Sequence, residues 1–161
     1  MLCICRQINW PDTLDELIGV GAWPDCKTFL PSHITTALAN RKDRGDKIYT
    51  GAYVIAAPQE KGSDKQAHVA EVVIGGLWRR RDEFSEWTGK TLQGTHEKIA
   101  RSHGWGNFMT YQAVVDMRFT GLLDTAEDRH SWAAAGPGTI RGLNRIRSRP
   151  VDAALTQRAA L

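Results

Sequence analysis

The sequence predicts an all-α fold, and three observations carry that prediction. Apolar residues recur at helical spacing, as in Val69, Val72, Val73, Leu77, Phe84 and Trp87, and again in Phe108, Tyr111, Val114, Val115 and Phe119. Helix-starting signals punctuate the chain: Pro11, Pro31-Ser32, Gly104-Trp105-Gly106 and Gly136-Pro137-Gly138. Strand-like sequence is confined to one short apolar run, residues 49–57, which periodicity assigns to neither strand nor helix.

Taken in order, Pro11 opens a short helix whose apolar face is Leu14, Leu17 and Ile18, and residues 19–24 end it. Ser32 is the expected N-cap of a second helix lined by Ile34, Ala37 and Leu38. Its charged end runs through residues 41–47. A polar loop over residues 58–66 precedes a long helix over residues 66–87, with Gly75-Gly76 expected to weaken or kink its middle. Residues 91–102 form the next helix, with Leu92, Ile99 and His96 pointing inward. A hairpin at 103–107 leads into a helix of about twelve residues that Gly121 stops. One short helix is expected in residues 124–135 and another over 139–147, ended by Pro150. The Ala-rich tail, residues 151–161, reads as helical.

A chain of 161 residues suffices for one domain with a core of useful size. Its 42% hydrophobic and 24% charged content is that of a water-soluble globular protein. The net charge of +3 excludes a basic tail, so local charge matters more: residues 136–150 hold Arg141, Arg145, Arg147 and Arg149 and no acid. That run is either a solvated helix face or a grip on phosphates. Cys3, Cys5 and Cys26 lack the pairing of a disulfide framework and the spacing of a zinc site, so they read as reduced thiols. No metal or cofactor is expected, and no apolar run reaches membrane length. Residues 1–5 lack the basic start and apolar length of a signal peptide.

The two glycine loops carry the most chemistry. A helix N-terminus presents amides with no intrahelical acceptor and the positive end of the helix dipole, which suits a phosphate. Glycine beside it lets the phosphate approach the backbone. Gly104-Trp105-Gly106-Asn107 between two helices has the pattern of a helix-hairpin-helix DNA-binding element, spanning about residues 91–119. Gly136 and Gly138 open a second such turn, and Arg141 and Arg145, one helical turn apart, can reach adjacent phosphates. Asn144 joins them as a DNA-contact candidate in the basic segment 136–149. Asp116, among Val114, Val115 and Met117, is a candidate for proton transfer, because burial raises a carboxyl's pKa; an exposed or Arg-paired structural acid is the other reading. Asp124 and Asp128 rank below it. Trp78, Trp87, Trp105 and Trp132 are either core residues or base-stacking ones.

Four patches in order give a resemblance: residues 6–13 (RQINWPDT), residues 49–53 (YTGAY), residues 104–116 (GWGNFMTYQAVVD), and residues 136–138 (GPG) with 141–144 (RGLN). Over about residues 6–149 the chain resembles the alpha-glutamyl/putrescinyl thymine pyrophosphorylases and the related helical domain of 5-hydroxymethyluracil DNA kinases. The resemblance implies a fold akin to helix-hairpin-helix DNA glycosylases and a role in thymine hypermodification. It also implies double-stranded DNA with a modified pyrimidine as partner, an amine donor, a DNA base kinase nearby, and the cytoplasm of a phage-infected or bacterial cell. Amine transfer onto an activated 5-hydroxymethyluracil, with release of pyrophosphate, is the activity expected from it.

Residue by residue, the resemblance implies that Arg6 binds the leaving phosphates and that Asn9 stands beside it, although both can equally tie down the first helix. Thr50 and Gln112 are carried over as substrate-binding residues. Tyr53 either stacks on the base or is a core tyrosine. Asp116 becomes the base that deprotonates the incoming amine, or the group that orients it. The chain lacks the Gly-x-x-x-x-Gly-Lys-Ser/Thr loop of a kinase and the family's Cys-Glu-Phe-Asp-Lys-like stretch, so it reads as a truncated or minimal member. Two alternatives stand beside amine transfer: a non-catalytic DNA-binding module serving the kinase, and a base-excision glycosylase using Asp124 or Asp128.

Overall fold

The computed structural model describes residues 1–23, 29–51, 55, 63–84 and 91–155. Tyr53, Trp87 and Cys26 lie outside the described residues. Helix is the regular structure throughout, with no strand among the described residues. The chain divides into two compact units, Met1–Phe84 with Ser102–Gly104, and Ser85–Arg101 with Trp105–Leu161.

The first unit opens with α1 (Leu2–Gln7), a helix that no cap or periodicity announces, and α2 (Pro11–Gly19). Pro11 stands at the first position of α2, as its fixed φ favours. The inward face of α2 is Thr13 and Leu17, whereas Ile18 is 55% exposed. Thr13 replaces the expected apolar contact with a hydrogen bond: its Oγ1 donates to Ile48 O at 3.0 Å. α3 (Pro31–Asp43) starts two residues earlier than an N-cap at Ser32 predicts, with Pro31 as its first residue and Leu30 as its N-cap. Ile34, Ala37 and Leu38 are buried as expected. Arg41 is buried as well; its Nη1 meets Glu16 Oε2 at 2.7 Å, and Arg44 Nη2 reaches the same oxygen at 2.7 Å.

The long helix expected over residues 66–87 is built of short pieces. α4 (Lys65–Ala67) runs into a π-helical stretch (His68–Ile74), then α5 (Gly75–Arg79) and a 3₁₀ turn (Arg81–Phe84). The π stretch packs on α1 and α3. Val69, Ala70, Val73 and Ile74 are its buried residues. Gly75 marks the return to α geometry. A Cβ there would lie 3.0 Å from Pro31 Cγ, so glycine permits the close approach of α3.

The second unit contains α6 (Leu92–Ala100), α7 (Asn107–Met117) and α8 (Pro137–Ile146). α6 and α7 pack on each other. Leu92, Thr95, His96 and Ile99 are buried on α6, in agreement with the sequence. On α7 the buried face is Thr110, Ala113, Val114 and Met117; Phe108 and Phe119, two positions of the apolar helical pattern, are 59% and 75% exposed. α7 ends at Met117, before Gly121, where Thr120 Oγ1 caps the Met117 carbonyl at 2.9 Å. Residues 124–135 are not helical. Hydrogen bonds from Ala126 to Leu123 and from Arg129 to Ala126 close successive tight turns instead, and Leu123 and Ala126 are buried among them. α8 closes in a Schellman motif: Arg149 N donates to Asn144 O at 2.9 Å and Ser148 N to Arg145 O at 3.1 Å. Ser148 takes the left-handed conformation this requires, with φ of 50°. Beyond it residues 151–155 are turn and irregular chain, not helix.

Candidate nucleic-acid interface

The hairpin between α6 and α7 contains two glycines with different reasons to be there. Gly104 has φ of +77°, and a Cβ on it would lie 2.5 Å from Val73 Cγ2. Its conformation and its packing both demand glycine. Gly106 is the N-cap of α7 with φ of −68°, and a Cβ there meets nothing within 4 Å. The fold tolerates a side chain at Gly106, so its absence leaves the approach to the start of α7 open. Gly136 and Gly138 repeat this at α8: Gly136 is the N-cap, Pro137 occupies the first turn, and neither glycine is sterically required.

The second unit brings these two helix starts to one cavity of about 610 Å³. Gln93, His96 and Glu97 line it from one face of α6, and Asn107, Phe108, Tyr111 and Gln112 from one face of α7. Trp132, Ala134 and Ala135 lead into the third wall, residues 136–139. The rings form a row. Trp132 lies 5.3 Å from His96 and 5.8 Å from Tyr111 between ring centres, and His96 Nε2 is 3.2 Å from Asn107 O. Thr110 Oγ1 donates to Trp105 O at 3.1 Å, which holds the turn against the start of α7.

Of the residues the sequence singled out, Asn107, Gln112, Gly136 and Gly138 are brought together around this cavity. Gly106 is exposed beside Asn107, and Arg141 and Arg145 are exposed on α8. Arg141 Nε lies 3.4 Å from Asp152 Oδ1 at the surface, so the basic segment does face one acid. Two residues prove to belong to the fold. Asn144 is fully buried, and its Nδ2 donates to Val151 O at 3.0 Å and Ala153 O at 2.8 Å, tying down the chain that follows α8. The Trp105 indole is 1% exposed and has no surface to offer a base. Asp116 is half-buried on α7, one turn beyond Gln112, and is not among the residues lining the cavity. Asp128, an alternative catalytic acid, accepts the Leu92 and Gln93 amides and so serves the start of α6.

The first unit holds Arg6, Asn9 and Thr50. Asn9 Oδ1 accepts the Thr50 amide at 2.9 Å, which joins two of the patches that are far apart in sequence. Arg6 is half-buried in the last turn of α1. Nearby in sequence, Gln7 Nε2, Asn9 Nδ2 and the Tyr49 hydroxyl are buried without a hydrogen-bond partner among the described residues. Burial, followed by the neighbouring Asp64 charge, pushes the Tyr49 phenol well above its ordinary pKa, so it stays a neutral donor.

The sequence reads His96 as pointing inward, Phe108 and Tyr111 as part of an apolar helical pattern, and Trp132 as either core or base-stacking, so none of them is singled out for the cavity. A usable signal was present: positions 107, 108, 111 and 112 form a polar–aromatic face on α7, opposite the small buried face of Ala113 and Val114.

The family model described as 5-hmdU DNA kinase, helical domain, matches residues 1–159. No curated protein and no solved structure matches the chain.

Proposed function

The chain belongs to the helical-domain family of 5-hmdU DNA kinases, and from that premise we propose that it is a DNA-gripping module that holds a 5-hydroxymethyluracil site for modification. The observation that carries this reading is the meeting of the α7 and α8 starts at one cavity. Helix starts favour anions through their unpaired amides and dipole. Exposed Arg141 and Arg145 extend the anion-binding surface along α8. The phosphoryl chemistry is supplied by a kinase domain or a kinase partner, since residues 1–161 contain no nucleotide-binding glycine loop of the Gly-x-x-x-x-Gly-Lys-Ser/Thr type.

Amine transfer by this chain is the weaker reading. It asks for an acid at the reacting centre, and the carboxylate lining the cavity is Glu97 rather than Asp116. A nucleoside digest of activated DNA incubated with the chain and candidate amines would reveal any transfer as a mass gain.

Fluorescence anisotropy with a short duplex containing one 5-hydroxymethyluracil tests the module reading. Affinity should fall steeply as salt rises, because phosphate contacts release counterions. Absence of any saturable DNA binding at low salt would overturn it.

A further inference from the structure

We propose that the cavity in the second unit is a pocket for one unstacked pyrimidine nucleotide, with Trp132 and Tyr111 as its stacking wall. This rests on the DNA-binding reading above and adds the place where the modified base goes. Size is the first argument. About 610 Å³ falls within the range of small-ligand sites and exceeds what one base needs. The ring wall is the second. Trp132 and Tyr111 both line the cavity and both are half-buried, and Trp132 packs edge-on with Tyr111 and against His96, which orients the indole before a ligand arrives. Stacking on such rings is a general way to hold a base outside a helix.

The polar lining decides the ligand class. Gln93, Asn107 and Gln112 supply carboxamides, each a donor and an acceptor, as the edge of a pyrimidine requires. Glu97, the acid of the lining, accepts Gln93 Nε2 at 2.9 Å. Among the described residues no lysine or arginine lines the cavity, so a free polyphosphate such as ATP would find no cation in this lining. A base carried on a strand needs none inside, because its phosphates stay at the rim, where α7 and α8 begin. Phe108, 59% exposed at that rim, is placed to fill the gap a departing base leaves in the duplex.

The test uses the full chain and a duplex with one 5-hydroxymethyluracil flanked by 2-aminopurine, whose fluorescence rises when its neighbour unstacks. Anisotropy on the same duplex reports binding. The expected result is a fluorescence rise on binding that Trp132→Ala abolishes while saturable binding persists. Gln112→Trp, which fills the pocket from a half-buried surface of α7, should abolish it too and covers the case in which Trp132→Ala fails to fold. Binding without a fluorescence rise, or a rise unchanged in Gln112→Trp, overturns the pocket and leaves DNA binding standing. Loss of binding by the unaltered chain overturns both.

Discussion

The Asp128 carboxylate sits at the start of α6, where its Oδ1 accepts the Leu92 amide at 2.6 Å. Its second oxygen accepts the Gln93 amide at 2.9 Å, and Thr91 Oγ1 accepts Gly94 N at 3.0 Å, so three first-turn amides are satisfied from side chains. A carboxylate on a helix start gains from both the hydrogen bonds and the dipole. Asp128→Ala should cost about 1–2 kcal/mol of stability, measured by urea denaturation. The same variant assayed for abasic sites bears on the glycosylase alternative: base release that vanishes in Asp128→Ala without loss of stability would contradict the structural role.

Gly104 and Gly138 contrast a glycine that the fold requires with one that it does not. Gly104→Ala combines a left-handed backbone with a clash on Val73 and should cost roughly 2–4 kcal/mol. Shortening Val73 to Ala in the same chain should make the two changes non-additive, as expected of residues in contact. Gly138→Ala lies in the first turn of α8 with open space around it, so stability should be unchanged or higher by up to about 1 kcal/mol. Its DNA affinity should nonetheless fall. Equal DNA affinity in Gly138→Ala and the unaltered chain would remove the α8 start from the interface.

Arg145 on α8 is exposed and carries no ion pair among the described residues. Arg145→Ala should weaken binding to all sequences alike and reduce the slope of log affinity against log salt by about 1, the signature of one phosphate contact. An unchanged slope places Arg145 off the DNA.

Ser148 holds the left-handed position of the Schellman motif that ends α8. Ser148→Gly removes the steric cost of that conformation and should stabilise by about 0.5–1 kcal/mol. A lowered melting temperature would show that the serine makes a contact worth more than the strain.

Glu16 ties α2 to α3 and responds to acid. Its hydrogen bond from Arg44, with further help from Arg41 against the opposing effect of burial, holds its pKa below the ordinary 4.5. A depressed pKa means that the folded state prefers the carboxylate. This contribution is therefore fully present above pH 4.5 and is lost as pH falls through the lower folded value. Glu16→Gln should flatten that acid limb and, by leaving buried Arg41 without its carboxylate, cost about 1–3 kcal/mol at neutral pH. Denaturation midpoints measured between pH 3 and 7 check both.

The helical class and most helix starts were legible because they depend on local chemistry. Pro11 presets φ for α2, and the glycines at 104 and 106 and those flanking Pro137 mark α7 and α8 whatever surrounds them. The membership of the interface was only partly legible. Asn107, Gly136 and Gly138 stand out from the two glycine turns and Gln112 from the resemblance, and all four line the cavity, whereas Asn144 and Trp105 read equally well as contacts and are buried. What separates them is which way a side chain faces: Asn144 turns under α8 to hold the Val151 and Ala153 carbonyls, and the Trp105 indole turns into the core. Residues 124–135 misled for a related reason. Their helix-forming composition was overridden when Asp128 turned to the start of α6 and Leu123 and Ala126 were buried. The sequence alone therefore determined an all-helical chain with two glycine turns that each open a helix. Only the tertiary structure decided that both turns open on one ring-lined cavity, because that depends on packing between segments some thirty residues apart.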